Sequence, residues 1–513
     1  MKLSALLTAS GYPEAISQIK EDVEVTEIVF DSRKAREGSL FVAMRGNASD
    51  SHRYIADAAA RGAAVAVTEY RTSDKIEEIV LSDTRQALSR LSDAMSGHPA
   101  QALSVVGVTG TNGKTSVASI LTHILCAAGK RAGMIGTVGA SLDGVPIPRD
   151  PADTMTTPDP TVLYPLLKRM RDAGCETVVL EATSHASALK KLDPITFDLL
   201  IFTNLSHDHL DFHGSMERYF EAKAELFRKT KRALVCLDEC AGCAGYAERI
   251  AEIAQQNGAE VRTYSRDERK APDFLLTDFH ESAREGIGFT VKIKDGSADF
   301  KVSSGLLGIY SGMNLLGSVA AARMLGISPA RISAAVGSFP GVPGRMERVF
   351  LGRDADITVC IDFAHTPDAL ENLLSAMQGL RGKNRRIVTL FGCGGDRDRT
   401  KRRDMGAIAS CMSDLVYITS DNSRSENPDG IIKDILRGID KEKPYRVIPD
   451  RKEAIEEAIL SAKTGDIILL CGKGHEHYQI DNAGMHPFCE SDIAKEAFRK
   501  RYYRKHENYG GSV

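Results

Sequence analysis

The chain has 513 residues, more than one hydrophobic core usually serves, so roughly two to four domains are expected. Hydrophobic residues at 42%, charged residues at 26% and a formal net charge of −3 describe a globular protein, and weigh against a general nucleic-acid or membrane-surface binder. No apolar run approaches the roughly 18 residues that cross a bilayer, and Ser4-Ala-Leu-Leu-Thr-Ala9 is broken too soon by Gly11-Tyr-Pro13 for a secretory signal. The cytoplasm is the expected compartment.

Up to residue 100, short apolar runs (Glu27–Phe30, Leu40–Ala43, Ala63–Val67) mix with alanine-rich helical patterns, which predicts a small α/β domain ending near His98-Pro-Ala-Gln101. Over 101–338, strand patterns at Ser104–Val108, Thr177–Leu180, Leu199–Phe202 and Ala233–Leu237 alternate with helices, the mark of a mostly parallel sheet. A third α/β block, 339–513, opens after Phe339-Pro-Gly-Val-Pro-Gly344 and repeats the alternation with Thr358–Ile361, Arg386–Phe391, Leu415–Thr419 and Asp466–Leu470. Its strands run into Gly- and Asp-rich turns. Ligands of open α/β sheets bind beyond the carboxyl ends of the strands, so these turns are the expected functional loops. Only Glu507–Val513 reads as frayed.

The most informative segment is Val105-Val-Gly-Val-Thr-Gly-Thr-Asn-Gly-Lys-Thr-Ser116, an apolar strand meeting a glycine-rich turn and then a helix. Backbone N–H groups of Gly110, Thr111, Asn112 and Gly113 are suited to crowd around phosphate oxygens, with Lys114 supplying a mobile charge and Thr115 a hydroxyl for Mg²⁺. ATP is the expected ligand. The spacing departs from the usual P-loop, because Val108 stands where that pattern has its first glycine. Further on, Val178-Val-Leu180 ends in Glu181, followed by Ser184 and His185, a carboxylate at a strand tip where a Mg²⁺ ligand is expected. Asn204, His207, Asp208, His209 and Asp211 then follow an apolar strand within eight residues, a polar density that suits a metal or phosphate role. His213 is open to a role in capping or packing.

Ten cysteines are scattered, several in apolar settings such as Val359-Cys360-Ile361, so reduced core thiols are expected rather than disulfides. Cys236, Cys240 and Cys243 cluster without a fourth ligand at zinc-finger spacing, and no metal is expected there.

Taken in order, Gly110-Thr-Asn-Gly-Lys-Thr115, Glu181-Ala-Thr-Ser-His185 and Thr203-Asn-Leu-Ser-His-Asp-His209 resemble the Mur ligase family, ATP-dependent amide-forming enzymes of peptidoglycan synthesis, and the resemblance runs through essentially the whole chain. It implies three domains: a uridine-nucleotide domain (1–100), a central P-loop ATPase domain (101–338) and a Rossmann-like amino-acid domain (339–513). It implies a substrate site including Ser32 of Asp31-Ser-Arg33, with Gly46 and His52 in the same pocket, then Thr156, Thr157, Ser184 and Lys191. For ATP it implies Gly110 to Ser116, together with Asn314, Arg345 and Asp362. Thr115, Glu181, His209 and a carbamylated Lys223 are the implied Mg²⁺ site, and Lys114, Glu181, His209 and Lys223 the implied catalytic group. A neutral lysine amine can add CO₂, and burial favours the neutral form.

For the incoming amino acid the resemblance implies Arg397, Asp421, Asn422, Arg424, Gly472 and Glu476. Guanidinium groups bind carboxylates bidentately and a carboxylate holds an ammonium. Arg424 resembles the type that adds meso-2,6-diaminopimelate to UDP-N-acetylmuramoyl-L-alanyl-D-glutamate through an acyl phosphate. A monomer that closes about linkers near 101 and 339, without nucleic-acid partner or membrane insertion, is expected. The departures are Ser423 for proline, Lys191 for arginine, Ala182-Thr183 for Val-Ser, Ser311 for asparagine and Phe363 for tyrosine. Three other readings stay open: a lysine-adding relative, a folylpolyglutamate-synthetase-like ligase, and a P-loop switch protein that hydrolyses ATP without forming a bond.

Overall fold

A computed structural model describes the chain except residues 47–49, 73–74, 149, 151–154, 240–242, 283–285, 353–354, 382–384 and 508–513. Cys240 and most of the carboxyl-terminal tail therefore lie outside the described residues. Two compact units are resolved: Met1–Leu205 with His213–Tyr264 and Gly317–Arg331, and Ser206–Phe212 with Ser265–Leu316 and Ile332–Val513.

The first unit holds two sheets. In the smaller, β1 (Glu27–Val29), β2 (Ser39–Val42), β3 (Ala63–Thr68) and β4 (Glu77–Val80) pair in that order, all parallel. Strand residues alternate between two apolar layers: Leu40, Val42, Val65 and Val67 face one core, while Phe41, Ala43 and Ala66 face the other. The larger sheet is built from β5 (Ser104–Thr109), β6 (Ala132–Gly136), β7 (Gly139–Leu142), β8 (Val145–Ile147), β9 (Thr177–Glu181), β10 (Leu199–Phe202), β11 (Arg232–Cys236) and β12 (Glu260–Ser265). Their order is β12-β11-β10-β5-β9-β6-β7-β8. From β12 to β6 the pairs are parallel, which puts the carboxyl ends of β5, β9 and β10 side by side. The antiparallel β6-β7-β8 edge departs from the parallel pattern, because the tight turns at Thr137-Val138 and Asp143-Gly144 leave no room for a crossover helix. Arg90 and Asp193, paired at 2.9 Å, link the helix Thr84–Met95 to the segment after the helix Ser184–Ala188.

The second unit contains an antiparallel ribbon, β13 (Phe274–Ser282), β14 (Gly286–Ile293) and β15 (Phe300–Ser304). It also contains the third α/β sheet, formed by β16 (Glu347–Arg348), β17 (Thr358–Asp362), β18 (Ile387–Phe391), β19 (Leu415–Ile418), β20 (Tyr445–Val447) and β21 (Ile467–Cys471) in the order β16-β17-β21-β18-β19-β20. All these pairs are parallel except β16-β17. Cys360, Ile387 and Leu469 face one apolar layer and Val359, Val388 and Ile468 the other, so both faces are covered, as near-continuous apolar strands require. A hairpin, β22 (Tyr478–Asp481) and β23 (Gly484–Pro487), follows the loop after β21. The described cysteines are free thiols.

Candidate functional site

At the end of β5 the chain turns through Gly110 and Gly113 into the helix Lys114–Ala127. Gly110 has φ +148, and a Cβ there would stand 1.9 Å from Thr203 Oγ1, so no side chain fits. Asn204 braces the turn: its backbone carbonyl accepts from Thr111 N at 3.0 Å and its side-chain Oδ1 from Asn112 N at 2.9 Å. Lys114 Nζ folds back to donate to the carbonyls of Gly110 (2.9 Å) and Thr111 (2.8 Å). Ser116, half-buried, lies in the first turn of the same helix.

Glu181 closes β9 and is wholly buried. Its carboxylate accepts from the Thr115 hydroxyl (3.0 Å), the Thr137 backbone N–H (2.8 Å) and the Thr137 hydroxyl (3.0 Å). Gly136 makes room, since a Cβ there would meet Glu181 Oε1 at 2.1 Å. Lys223, 1% exposed on the helix Met216–Phe227, donates to the Gly110 carbonyl at 2.9 Å and stands 4.5 Å above the Tyr219 ring, whose hydroxyl is 3.0 Å from Thr111 Oγ1. Two hard oxygen donors, from Thr115 and Glu181, thus sit together beside a phosphate-type turn, and that donor set fits Mg²⁺. His209 belongs to the other unit, where it is exposed at φ +54 and 3.3 Å from Asp208. Among the described residues no group of three or more His, Cys, Asp and Glu is gathered as a metal cluster.

The predicted substrate residues Thr156, Thr157, Ser184 and Lys191 lie around the same strand end. Thr156 Oγ1 is 3.0 Å from Thr137 Oγ1, and Thr157 Oγ1 donates to the Glu181 carbonyl at 2.7 Å. Lys191, buried, pairs with Asp159 at 2.7 Å, and Ser184 Oγ is 3.0 Å from His213 Nε2. His185 stacks edge-on to His213 with ring centres 5.4 Å apart. In the small sheet's loops, Ser32 is buried, while Arg33 pairs with Asp31 at 2.8 Å. His52 Nε2 accepts from Glu69 N at 3.0 Å, so Nδ1 carries the proton toward Asp50 at 2.6 Å, and the ring stacks on Tyr70.

In the second unit, Asp362 ends β17 and accepts from Met346 N (2.7 Å) and Ala364 N (2.8 Å). Burial pushes its carboxyl up, against the pull of Arg345. Arg345 stacks over the Phe363 ring at 4.6 Å, and burial, with Lys401 adding to it, lowers His365 to about 4, which leaves it neutral near pH 7. Asn314 lies on the helix Ile309–Met324.

The loops after β18, β19 and β21 converge. Gly395 is required, because a Cβ would sit 1.9 Å from the Ser423 carbonyl. Arg424, at φ +52, donates to the Gly395 carbonyl at 2.9 Å, and its own N–H donates to Ile480 O at 3.1 Å. Asn422 Nδ2 donates to Glu476 Oε2 at 2.8 Å. Gly472 passes so close to Asp421 that a Cβ would meet its Oδ2 at 2.6 Å. Burial pushes Asp421 up, but Lys473 and Arg451 together hold it below its ordinary value. Burial raises Glu476 despite Lys473, and it lowers Arg397, helped by the like charge of Arg424. A carboxylate and two guanidinium groups around one strand-end pocket suit a zwitterion with an extra carboxylate.

Sequence reasoning missed Thr137, Tyr219, Lys473 and Arg451. Thr137 had a signal, a Gly-Thr step directly after a strand. The buried lysine and arginine had none, since an isolated basic residue reads as surface.

Two family models match the chain: Mur ligase middle domain over residues 108–322 and Mur ligase, glutamate ligase domain over residues 344–474. The UDP-N-acetylmuramoyl-L-alanyl-D-glutamate–2,6-diaminopimelate ligase of Clostridioides difficile (strain 630) is 40% identical over 483 residues, covering 93% of this chain and 96% of the relative. The ligase of the same name from Synechococcus elongatus is 39% identical over 519 residues, covering 98% and 99%. A solved structure bearing that ligase name superposes with a TM-score of 0.66 at 30% identity, covering 98% of this chain and 100% of the other. E. coli FolC in complex with DHPP and ADP has a TM-score of 0.59 at 21% identity over 82% of this chain and 93% of its own, a likeness of fold.

Proposed function

The chain belongs to the Mur ligase family, and from that premise we propose that it joins meso-2,6-diaminopimelate to UDP-N-acetylmuramoyl-L-alanyl-D-glutamate at the expense of ATP, a step of peptidoglycan synthesis. The observation that carries this reading is the presence in one chain of a P-loop tied to a buried strand-end carboxylate (Thr115 to Glu181, 3.0 Å) and of a second strand-end pocket where Asn422, Glu476 and Arg424 meet.

The turn 110–116 seats the triphosphate: Asn204 braces it through the N–H groups of Thr111 and Asn112, and Lys114 with the N–H groups of the first turn of the helix Lys114–Ala127 holds the phosphates. The substrate's terminal carboxylate attacks the γ-phosphorus, ADP leaves, and the acyl phosphate is then attacked by the amine of the amino acid, releasing phosphate as the amide forms. Thr115, Glu181, His209 and Lys223 as its carbamate would hold Mg²⁺, whose charge would neutralise the triphosphate. Ser32, Thr156, Thr157, Ser184 and Lys191 seat the uridine-linked dipeptide. Asn314, Arg345 and Asp362 attend the nucleotide. Arg397 and Arg424 take the carboxylates of diaminopimelate, and Glu476, held in place by the Asn422 amide that donates to it, takes its ammonium. Catalysis rests on positioning and electrostatics, without an assigned proton shuttle. The protein works as a cytoplasmic monomer, and no described helix is long and apolar enough to cross a membrane.

ADP release by the purified protein tests this: it should require the UDP-dipeptide and diaminopimelate together. ATP hydrolysis indifferent to the amino acid would favour a switch protein instead, and turnover with a folate substrate would favour the folylpolyglutamate-type reading.

A further inference from the structure

Lys473 is fully buried in the loop after β21 and has no part in the scheme above. Its Nζ donates to Asn422 Oδ1 at 2.9 Å and stands 3.6 Å from Glu476 Oε2 and 4.0 Å from Asp421 Oδ1. The rings of Tyr478 and Phe488, 6.0 and 5.8 Å from the ammonium, flank it. Burying an ammonium is costly unless it is paired and hydrogen-bonded, so its surroundings define its purpose.

Those surroundings are the amino-acid pocket. The amide of Asn422 has two faces of different polarity, and only one orientation serves Glu476. An ammonium donates and never accepts, and Ile480 N also donates to Asn422 Oδ1, at 3.0 Å. Both contacts fix the oxygen inward, and Nδ2 therefore points at Glu476 Oε2, 2.8 Å away. The same ammonium is the nearest counter-charge to Glu476, whose ionised form burial disfavours. Arg451 does not substitute for it: that guanidinium is engaged by Glu490 (2.8 Å) and by the Cys471 carbonyl (2.7 Å).

We propose that Lys473 is a positioning residue for amino-acid selection, which orients the Asn422 amide and sets a positive charge against Glu476 without touching the amino acid itself. This rests on the reading of that pocket given above. In the full-length protein, Lys473→Met and the milder Lys473→Gln should each raise the KM for diaminopimelate by about tenfold or more, the worth of a charge-assisted hydrogen bond. KM for ATP and for the UDP-dipeptide should stay within about twofold. Asn422→Ala should raise the same KM, and the double variant Asn422→Ala/Lys473→Met should add little to it. Uniform loss of kcat with every KM unmoved, or full additivity in the double variant, would overturn the assignment in favour of a purely structural lysine. If Lys473→Met does not fold, Lys473→Gln carries the same comparison. If the unaltered protein releases no ADP with diaminopimelate or any other amino acid, the functional reading fails on its own. The Lys473 assignment is then decided by the side-chain amide signals of Asn422 in ¹⁵N-asparagine-labelled protein: displaced by Lys473→Gln, it stands; unmoved, it falls.

Discussion

Replacing Glu181 by glutamine separates the charge of the buried carboxylate from its shape. In the native site one oxygen accepts from Thr137 N at 2.8 Å, and the other from the hydroxyls of Thr115 and Thr137, both at 3.0 Å. A glutamine of nearly equal volume satisfies all three partners: its oxygen faces Thr137 N, and its NH₂ donates to the two hydroxyls, which rotate to accept. No buried group is orphaned, so stability should fall by only about 1 kcal/mol, a drop of about 1–2 °C in the thermal midpoint of a unit of this size. Activity should fall much further. The variant loses a full negative charge beside the P-loop, and a charge-assisted contact is worth about 1.5–3 kcal/mol, or roughly 10- to 150-fold in ADP release, with a higher Mg²⁺ requirement. ADP release titrated against Mg²⁺, with a melting curve alongside, is the assay. Turnover within about threefold of the unaltered protein would refute the place given to Glu181, and collapse of the melting transition would refute the packing argument.

Gly110→Ala drives a methyl onto Thr203 Oγ1 at a positive φ, so nucleotide affinity measured by calorimetry should drop by about tenfold or more, at about 1–3 kcal/mol of overpacking. Arg424→Ala should raise the KM for diaminopimelate by about tenfold or more while leaving that for ATP unmoved, a split that steady-state kinetics resolves. Glu426 is held at about 2 by its hydrogen bonds to Arg402, below its unfolded value of 4.5. Its depressed value means that its stabilising effect is whole above about pH 4.5 and lost as the pH falls toward 2. Glu426→Gln should therefore lower stability by about 1–3 kcal/mol at pH 7, and the gap between the two proteins in urea melts should shrink below pH 4.

The strand ends were the most legible part of the chain, because apolar runs such as Thr177–Leu180 stop at a polar residue that has no place in a core. Glu181 and Asp362 follow that rule, each the last residue of its strand, and Gly472 stands directly after another strand's last residue. The boundaries moved by one residue where hydrogen bonding extends past the last apolar side chain, as at Thr109. Antiparallel elements were missed: β7 and β8 hold too few apolar residues to register as strands, and the solvent-facing alternation of β13 to β15 lacks the continuous apolar run of a parallel strand. The motifs themselves named the P-loop and the Asp421–Arg424 segment. What they did not convey is how those residues are held. Thr137 on Glu181, Tyr219 on Thr111 and Lys473 behind Asn422 act across 44, 108 and 51 positions of sequence, and no local pattern announces such contacts. Asp31-Ser-Arg33 shows the opposite limit, since its visible charges form a local ion pair and the buried Ser32 is the less conspicuous member.

The most direct test of the central claim is a competition: the purified protein with ATP, Mg²⁺ and UDP-N-acetylmuramoyl-L-alanyl-D-glutamate, given meso-2,6-diaminopimelate and L-lysine in equal amounts, with the product identified by mass. One dominant product is expected, the UDP-linked tripeptide carrying diaminopimelate, formed in step with ADP. A lysine-containing tripeptide as the main product would contradict the role given to Arg424 and Arg397, and ADP formed without either tripeptide would contradict the ligase itself.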